Sequence, residues 1–148
     1  MIARIFNIDN SLAVRLVECG DKFYGKLGKT ISPDVFIPMW NKLLEAGIGT
    51  LWVSHDGPTI TGGLGMVLSP CMFDGVIQAD ETFWFVDPKH RGDGIRLFNT
   101  MIEWAKSLEI TRISMVSLND VTGDRVSKFY ETRGFAKVET RYMKELWP

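Results

Sequence analysis

The stretch Phe83-Trp84-Phe85-Val86-Asp87-Pro88-Lys89-His90-Arg91-Gly92-Asp93-Gly94-Ile95-Arg96 decides how this chain folds. Its aromatic run ends at a proline turn and reads as the end of a buried strand, over Val76 to Val86. Gly92 to Leu108 carries the most regular helical pattern in the chain. Ile95, Phe98, Ile102 and Ala105 share a face, and Leu97, Met101, Trp104 and Leu108 widen it. The glycine-bearing loop therefore opens a helix. The first amides of a helix have no internal partner and lie at its positive end, so they favour an anion. Gly92 and Gly94 allow close backbone approach to a phosphate. Lys89, Arg91 and Arg96 add positive charge, and Asp93 offsets part of it. A plain strand-to-helix connection uses the same residues, and spacing alone leaves both readings open.

Upstream, Ala3 to Ile8 reads as a short strand. Asp9, Asn10 and Ser11 offer N-cap chemistry for a helix through about Cys19, which Gly20 can end. Ser32-Pro33-Asp34 starts a second helix, with a capping hydroxyl, a first-turn proline and an acid near the positive end. That helix carries Phe36, Trp40, Leu43 and Leu44 to about Gly47, and Pro38 either kinks it or marks its start. Thr50 to Ser54 and Thr59 to Leu68 are strands joined by a turn at His55-Asp56-Gly57-Pro58. Gly62, Gly63 and Gly65 inside the second strand imply a bulge or a close backbone approach. Downstream follow a strand from Thr111 to Leu118, a helix from Asp124 to Thr132, and a last strand from Phe135 to Leu146. This order implies a mixed, mostly antiparallel α/β sheet with helices on both faces.

The 148 residues fit a single domain over the whole chain, 1–148, able to bury roughly 70% of its unfolded surface. A net charge of −1 argues against a dedicated nucleic-acid binder. No apolar run reaches membrane-spanning length, and the N-terminus meets charge too early for a signal peptide. Cys19 and Cys71 read as free thiols of a reducing compartment, so a soluble cytoplasmic protein is expected. No Cys/His grouping has metal-ligand spacing. Ser54, His55 and Asp56 are adjacent on a strand, point to opposite faces and cannot form a triad. The tail from Arg141 to Leu146 offers an edge on which a second copy could pair as a homodimer.

Two motifs carry a resemblance to a known family. Val-x-Pro-x-x-Arg-Gly-x-Gly-Ile, from Val86 to Ile95, resembles the acyl-CoA-binding motif of the GNAT superfamily of N-acetyltransferases, written Gln/Arg-x-x-Gly-x-Gly/Ala. Arg91 and Gly94 match it, and Arg96 stands where Gly or Ala is usual. Phe129-Tyr130-Glu131-Thr132-Arg133-Gly134-Phe135 is similar to a second signature of that superfamily. The likeness in strand and helix order runs from Leu51 to Leu146, and the chain resembles small members, phage-encoded ones included.

The resemblance implies a GNAT-like fold and direct acyl transfer from acetyl-CoA to an amine, on a small molecule or a protein, with no metal. It implies that the pantetheine arm pairs with the backbone of Trp84, Phe85 and Val86, and that the pyrophosphate sits on Arg91, Gly92, Asp93, Gly94, Ile95 and Arg96. Tyr130 falls where a tyrosine stabilises the leaving thiolate. Asp80 falls where a carboxylate acts as base, with Glu81 beside it, and ordered water is the third candidate. An amide near Phe85 or Val86 would stabilise the oxyanion. Each residue also has a bland reading: Tyr130 as a packed ring, Asp80 as a solvent-facing residue early in the strand. Arg96 either swings out to clamp a phosphate or blocks the amides. An asparagine usual near the start of the last helix is replaced by Gly123, with Asn119 several residues earlier. The alternative is a GNAT-fold module that no longer catalyses and binds a protein partner.

Overall fold

The computed structural model describes residues 1–118 and 124–147. The chain divides into two compact units, Met1–Val116 and Ser117–Pro148.

The first unit holds a five-stranded sheet in the order β1-β2-β3-β4-β5. These strands are β1 (Ile2–Ile5), β2 (Gly49–Asp56), β3 (Thr59–Pro70), β4 (Ile77–Val86) and β5 (Ile113–Ser114). β1 to β4 are antiparallel, and β4 and β5 pair in parallel. The helices are α1 (Asn10–Tyr24), α2 (Pro33–Glu45) and α3 (Arg91–Ser107). The mixed, mostly antiparallel sheet with helices on both faces is as the element order implies.

α1 starts because Asp9 accepts the Leu12 amide at 2.8 Å. It runs through Gly20 to Tyr24, past the expected stop. Gly20 serves packing: a Cβ there would run into Ile31 Cδ1 and stand 3.3 Å from the Phe85 ring. α2 begins at Pro33 as expected, but Ser32 makes no side-chain cap; its carbonyl accepts the Phe36 amide. Pro38 lies inside the helix. The β2–β3 hairpin turns at Gly57-Pro58, with Gly57 at φ 56°, the left-handed region that a two-residue hairpin loop demands.

Two packed layers result. Leu16, Trp40, Leu51, Val53, Phe83 and Phe85 form one buried cluster between the sheet, α1 and α2. Phe83 and Phe85 stack at 5.3 Å, and Trp40 meets Phe83 edge-on. Gly63 and Gly65 are small because these rings lie on them. On the other face, Trp52 meets Trp104 and Trp84 stacks on Phe98, both from α3. The buried stripe of α3 is Gly94, Leu97, Phe98, Met101, Trp104 and Ala105. Ile95 and Leu108, expected in that stripe, are exposed.

The second unit contains α4 (Asp124–Glu131). Gly134, at φ 86°, ends its last turn, where the Phe135 amide reaches the Tyr130 carbonyl. The expected strand from Phe135 to Leu146 does not form: residues 135–147 are irregular and pair with no strand among the described residues. A period-two pattern makes a strand only where a partner edge supplies the ladder. The expected strand Thr111–Leu118 likewise shrinks to Ile113–Ser114.

Candidate active site

The site is built on the two edges of β4. Toward β3 it pairs from Ile77 to Val86. The register slips once: Gly65 faces Phe83 and Met66 faces Glu81, which leaves Thr82 as the extra residue of a bulge. Thr82 Oγ1 donates to the Gly65 carbonyl at 2.9 Å. Toward β5 the ladder covers only Ala79–Ile113 and Asp80–Ser114. It stops because a side chain intervenes: the Val116 amide donates to Glu81 Oε2 at 2.8 Å. The two strands cease to pair beyond Asp80, just where the bulge bends β4.

The Asp87 amide donates to the Thr61 carbonyl of β3 at 2.8 Å. With a two-residue period, the Phe85 and Phe83 amides also turn to β3, and those of Trp84 and Val86 turn to the open side. The Phe85 side chain is fully buried in the aromatic cluster, so neither its ring nor its amide reaches the opening. Trp84 sends its indole under α3 and its backbone outward.

Beyond Val86, the Asp87 carboxylate accepts the Lys89 amide at 2.9 Å and caps a single 3-10 turn, Pro88–His90. α3 starts at once with Arg91 and Gly92, both exposed. A Cβ on Gly92 would meet nothing within 4 Å, so no neighbour inside the fold demands glycine there. Gly94 is different: its Cβ would stand 3.0 Å from Val86 Cγ2, so glycine lets α3 settle onto β4.

Asp93 is engaged from two sides. Its Oδ2 accepts Thr61 Oγ1 at 2.8 Å, and its Oδ1 takes Arg96 Nη1 at 3.2 Å. Thr61 has one hydroxyl proton, which goes to the carboxylate. Ser54 Oγ, 2.9 Å from Thr61 Oγ1, is then the donor to Thr61. This buried Ser54–Thr61–Asp93 relay fastens the start of α3 to the sheet. Arg96 lies back along its own helix, with its side chain 68% exposed, while that of Asp93 is 13% exposed. Ile95 also faces outward.

The two carboxylates expected as bases differ. Asp80 uses both oxygens in the sheet, accepting Ser69 Oγ at 2.6 Å and Gln78 Nε2 at 2.8 Å. Glu81 is the one at the strand opening. Tyr130, in the second unit, is buried and packs against Phe129 and Phe135. Asn119 and Gly123 lie outside the described residues.

Tyr24 and Thr61 carry no motif, and Ser54, set aside above as a triad member, belongs to the relay instead. Tyr24, the last residue of α1, sets its ring edge-on to Phe85 at 6.0 Å and to Phe23 at 5.0 Å. Burial and then the nearby Glu81 charge push its phenol up to about 12. The Gly20–Tyr24 spacing was the available signal: residues four apart share a helix face, and Gly20 lies on Phe85. No cluster of three or more His, Cys, Asp and Glu forms among the described residues, and no described helix is long and apolar enough to cross a membrane.

No family model matches the sequence, and no curated protein matches it. Solved structures do match in fold. An aminoglycoside acetyltransferase from an uncultured soil metagenomic sample superposes with a TM-score of 0.75 at 15% identity, over 100% of this chain and 96% of that one. A GNAT family acetyltransferase of Staphylococcus aureus gives 0.67 at 19%, over 98% of each. A transcriptional regulator from Bacillus halodurans gives 0.75 at 20%, over 99% of this chain and 100% of that one. At such identities the likeness is one of fold, and it covers nearly the whole chain. The open β4 edge and the glycine-bearing start of α3 therefore belong to a chain with the fold of the GNAT-family acetyltransferases.

Proposed function

We propose that this chain is an acyl-CoA-dependent N-acyltransferase that moves an acyl group, most simply acetyl, to an amine. The supporting observation is the opening of β4 beyond Asp80, beside the exposed first turn of α3. The residues there fit the donor: open space at Gly92, cationic Arg91, and the outward amide of Val86. The pantetheine arm would lie along that edge and the pyrophosphate on Arg91 to Arg96. Arg96 pairs with Asp93 at 3.2 Å and would leave that exposed pair to reach a phosphate.

The donor supplies an activated thioester. Glu81, directly or through water, takes the proton that the acceptor ammonium must lose. The amine nitrogen then bonds to the acyl carbon as the carbon–sulfur bond breaks. The Val86 amide donates to the acyl oxygen as negative charge builds on it. Tyr130 returns a proton to the thiolate, a role that rests on the Phe129–Phe135 resemblance. Aminoglycosides are the first acceptor class to screen, because two fold neighbours are aminoglycoside acetyltransferases.

A thermal-shift titration with acetyl-CoA, with adenosine nucleotides as controls, tests the donor site. Ligand at a hundred times its dissociation constant adds about 2.7 kcal/mol, roughly 5–10 °C for this size. If turnover follows, Tyr130→Phe should slow it about 10²–10⁴-fold, and an unchanged rate removes Tyr130 from the chemistry. One observation favours a second reading, a non-catalytic module that binds a protein. The anionic Asp93 stands in the first turn, and Arg96 occupies the motif's last position. No shift at millimolar acetyl-CoA selects that reading.

A further inference from the structure

Thr61 holds both ends of the turn that leads into α3. Its carbonyl accepts the Asp87 amide at 2.8 Å, and its hydroxyl donates to Asp93 Oδ2 at 2.8 Å. Ser54 Oγ lies 2.9 Å behind it and donates to Thr61 Oγ1, since the one Thr61 hydroxyl proton goes to the carboxylate. Ser54 and Thr61 are both fully buried. Gly62 stands opposite Ser54 on the β2–β3 ladder, and a Cβ on it would lie 2.8 Å from Ser54 Oγ, so glycine leaves the relay its room. Asp93 is the third residue of α3. An acid there ordinarily turns back to the unpaired amides of its own helix, drawn by the positive end of the dipole. Here it turns the other way: Oδ2 goes into the sheet and Oδ1 to Arg96. The Arg96 end of this grip is exposed, and the Thr61 end is buried.

We infer that Thr61, backed by Ser54, is a positioning residue for donor binding: it draws the Asp93 charge into the sheet and leaves the first amides of α3 to the phosphates of the donor. The inference rests on the donor site proposed above and names the residues that keep that site open. A carboxylate already at the helix start would compete for the same amides and repel an incoming phosphate. Without the Thr61 hydroxyl, Asp93 would face an apolar group in a buried place, which is costly for a charge. It would then swing to the amides of its own turn. When Arg96 leaves its exposed pair to meet a phosphate, the Thr61 hydroxyl is what still holds the carboxylate inward.

Calorimetric titration with free CoA tests it on the wild type, Thr61→Val, Thr61→Ser, Asp93→Asn and the double variant Thr61→Val with Asp93→Asn. Thr61→Val removes the hydroxyl, and CoA binding should weaken about ten-fold, the scale of one charge at a helix start. Thr61→Ser, which keeps the hydroxyl, should bind CoA as the wild type does. The double variant should recover most of the affinity that Thr61→Val loses, because the competing charge is gone. If Thr61 merely stiffened the fold, neutralising Asp93 would recover nothing. That outcome overturns the inference, and so does wild-type affinity in a folded Thr61→Val. Asp93→Asn alone should tighten binding by no more than about three-fold, because the charge already faces inward. A gain of about ten-fold or more would place the carboxylate on the amides already and overturn the inference without any Thr61 variant. The test therefore stands should Thr61→Val not fold, which circular dichroism checks. If the wild type binds CoA and this pattern fails, only the positioning role is wrong; if it binds no CoA, the donor site falls and the inference with it.

Discussion

Along its β3 edge, β4 pairs over its whole length with one slip at Thr82; along the other edge it pairs at Ala79 and Asp80 and then stops. Backbone and small residues make the first edge. Gly63 and Gly65 leave room for Phe83 and Phe85 to lie flat over β3, and ladder and aromatic cluster reinforce each other. Side chains make the second edge. Glu81 takes the Val116 amide. A backbone ladder is closed to ligands, whereas a side chain can be exchanged for another group of like polarity. The same strand thus carries stability on one side and the proposed donor edge on the other.

The comparison breaks most sharply at Phe85. Phe85→Ala removes a fully buried ring from the closed side and should cost about 3–5 kcal/mol of stability by denaturant titration. A loss below 1 kcal/mol would mean the cluster does not hold the closed edge. Glu81→Gln tests the other side. The amide oxygen of Gln can still accept from Val116, so stability should move by less than about 1 kcal/mol. Turnover should fall about 10²–10⁴-fold if Glu81 is the base. Asp80→Asn is the control, because both Asp80 oxygens are spent on Ser69 and Gln78; a larger rate loss there than at Glu81 would reverse the assignment. Gly65→Ala sharpens the contrast at smaller scale. Its Cβ would lie 2.6 Å from Phe83 Cε1 and 2.7 Å from the Trp40 ring, and moving packed rings should cost about 1–3 kcal/mol.

What was legible in the sequence follows the same division. The hairpin at Gly57-Pro58, the long β3 and β4, and α3 after the proline turn are local patterns, and each forms within a few residues of its expected place. Non-local partners decided the rest. Gly20 looks like a helix stop until Ile31 and Phe85 are seen against it. The α3 stripe is rotated toward Gly94, Leu97 and Met101, away from Ile95 and Leu108, because Val86 and Trp84 fix where the helix start rests. β5 is short because Glu81, more than thirty residues earlier, takes the next amide. The alternation from Phe135 to Leu146 names no partner edge, and no strand forms. At the site, the glycine-bearing start of α3 was legible as a motif. The choice between Asp80 and Glu81 was not, because it depends on which oxygens Ser69 and Gln78 already occupy. Tyr24 carried no motif at all.

The smallest effect concerns Tyr24 itself and needs no ligand. Its phenol is raised from 10.0 to about 12, first by burial and then by the Glu81 charge. Between these values the folded chain keeps a proton that the unfolded chain has released. The folded state then binds more protons, so stability falls as pH rises through this window and is fully present below it. The loss should be on the order of 1 kcal/mol by one unit above the unfolded value. Cys19, raised by burial and then by Asp87 to about 11, begins the same loss about one unit earlier. Unfolding curves from pH 8 to 11.5 should therefore slope downward in the wild type, less steeply in Tyr24→Phe, and with the early part removed in Cys19→Ala. A Tyr24→Phe slope equal to that of the wild type would mean that the phenol titrates as it does in water. Its place beside Phe85 and Phe23 would then be open to solvent.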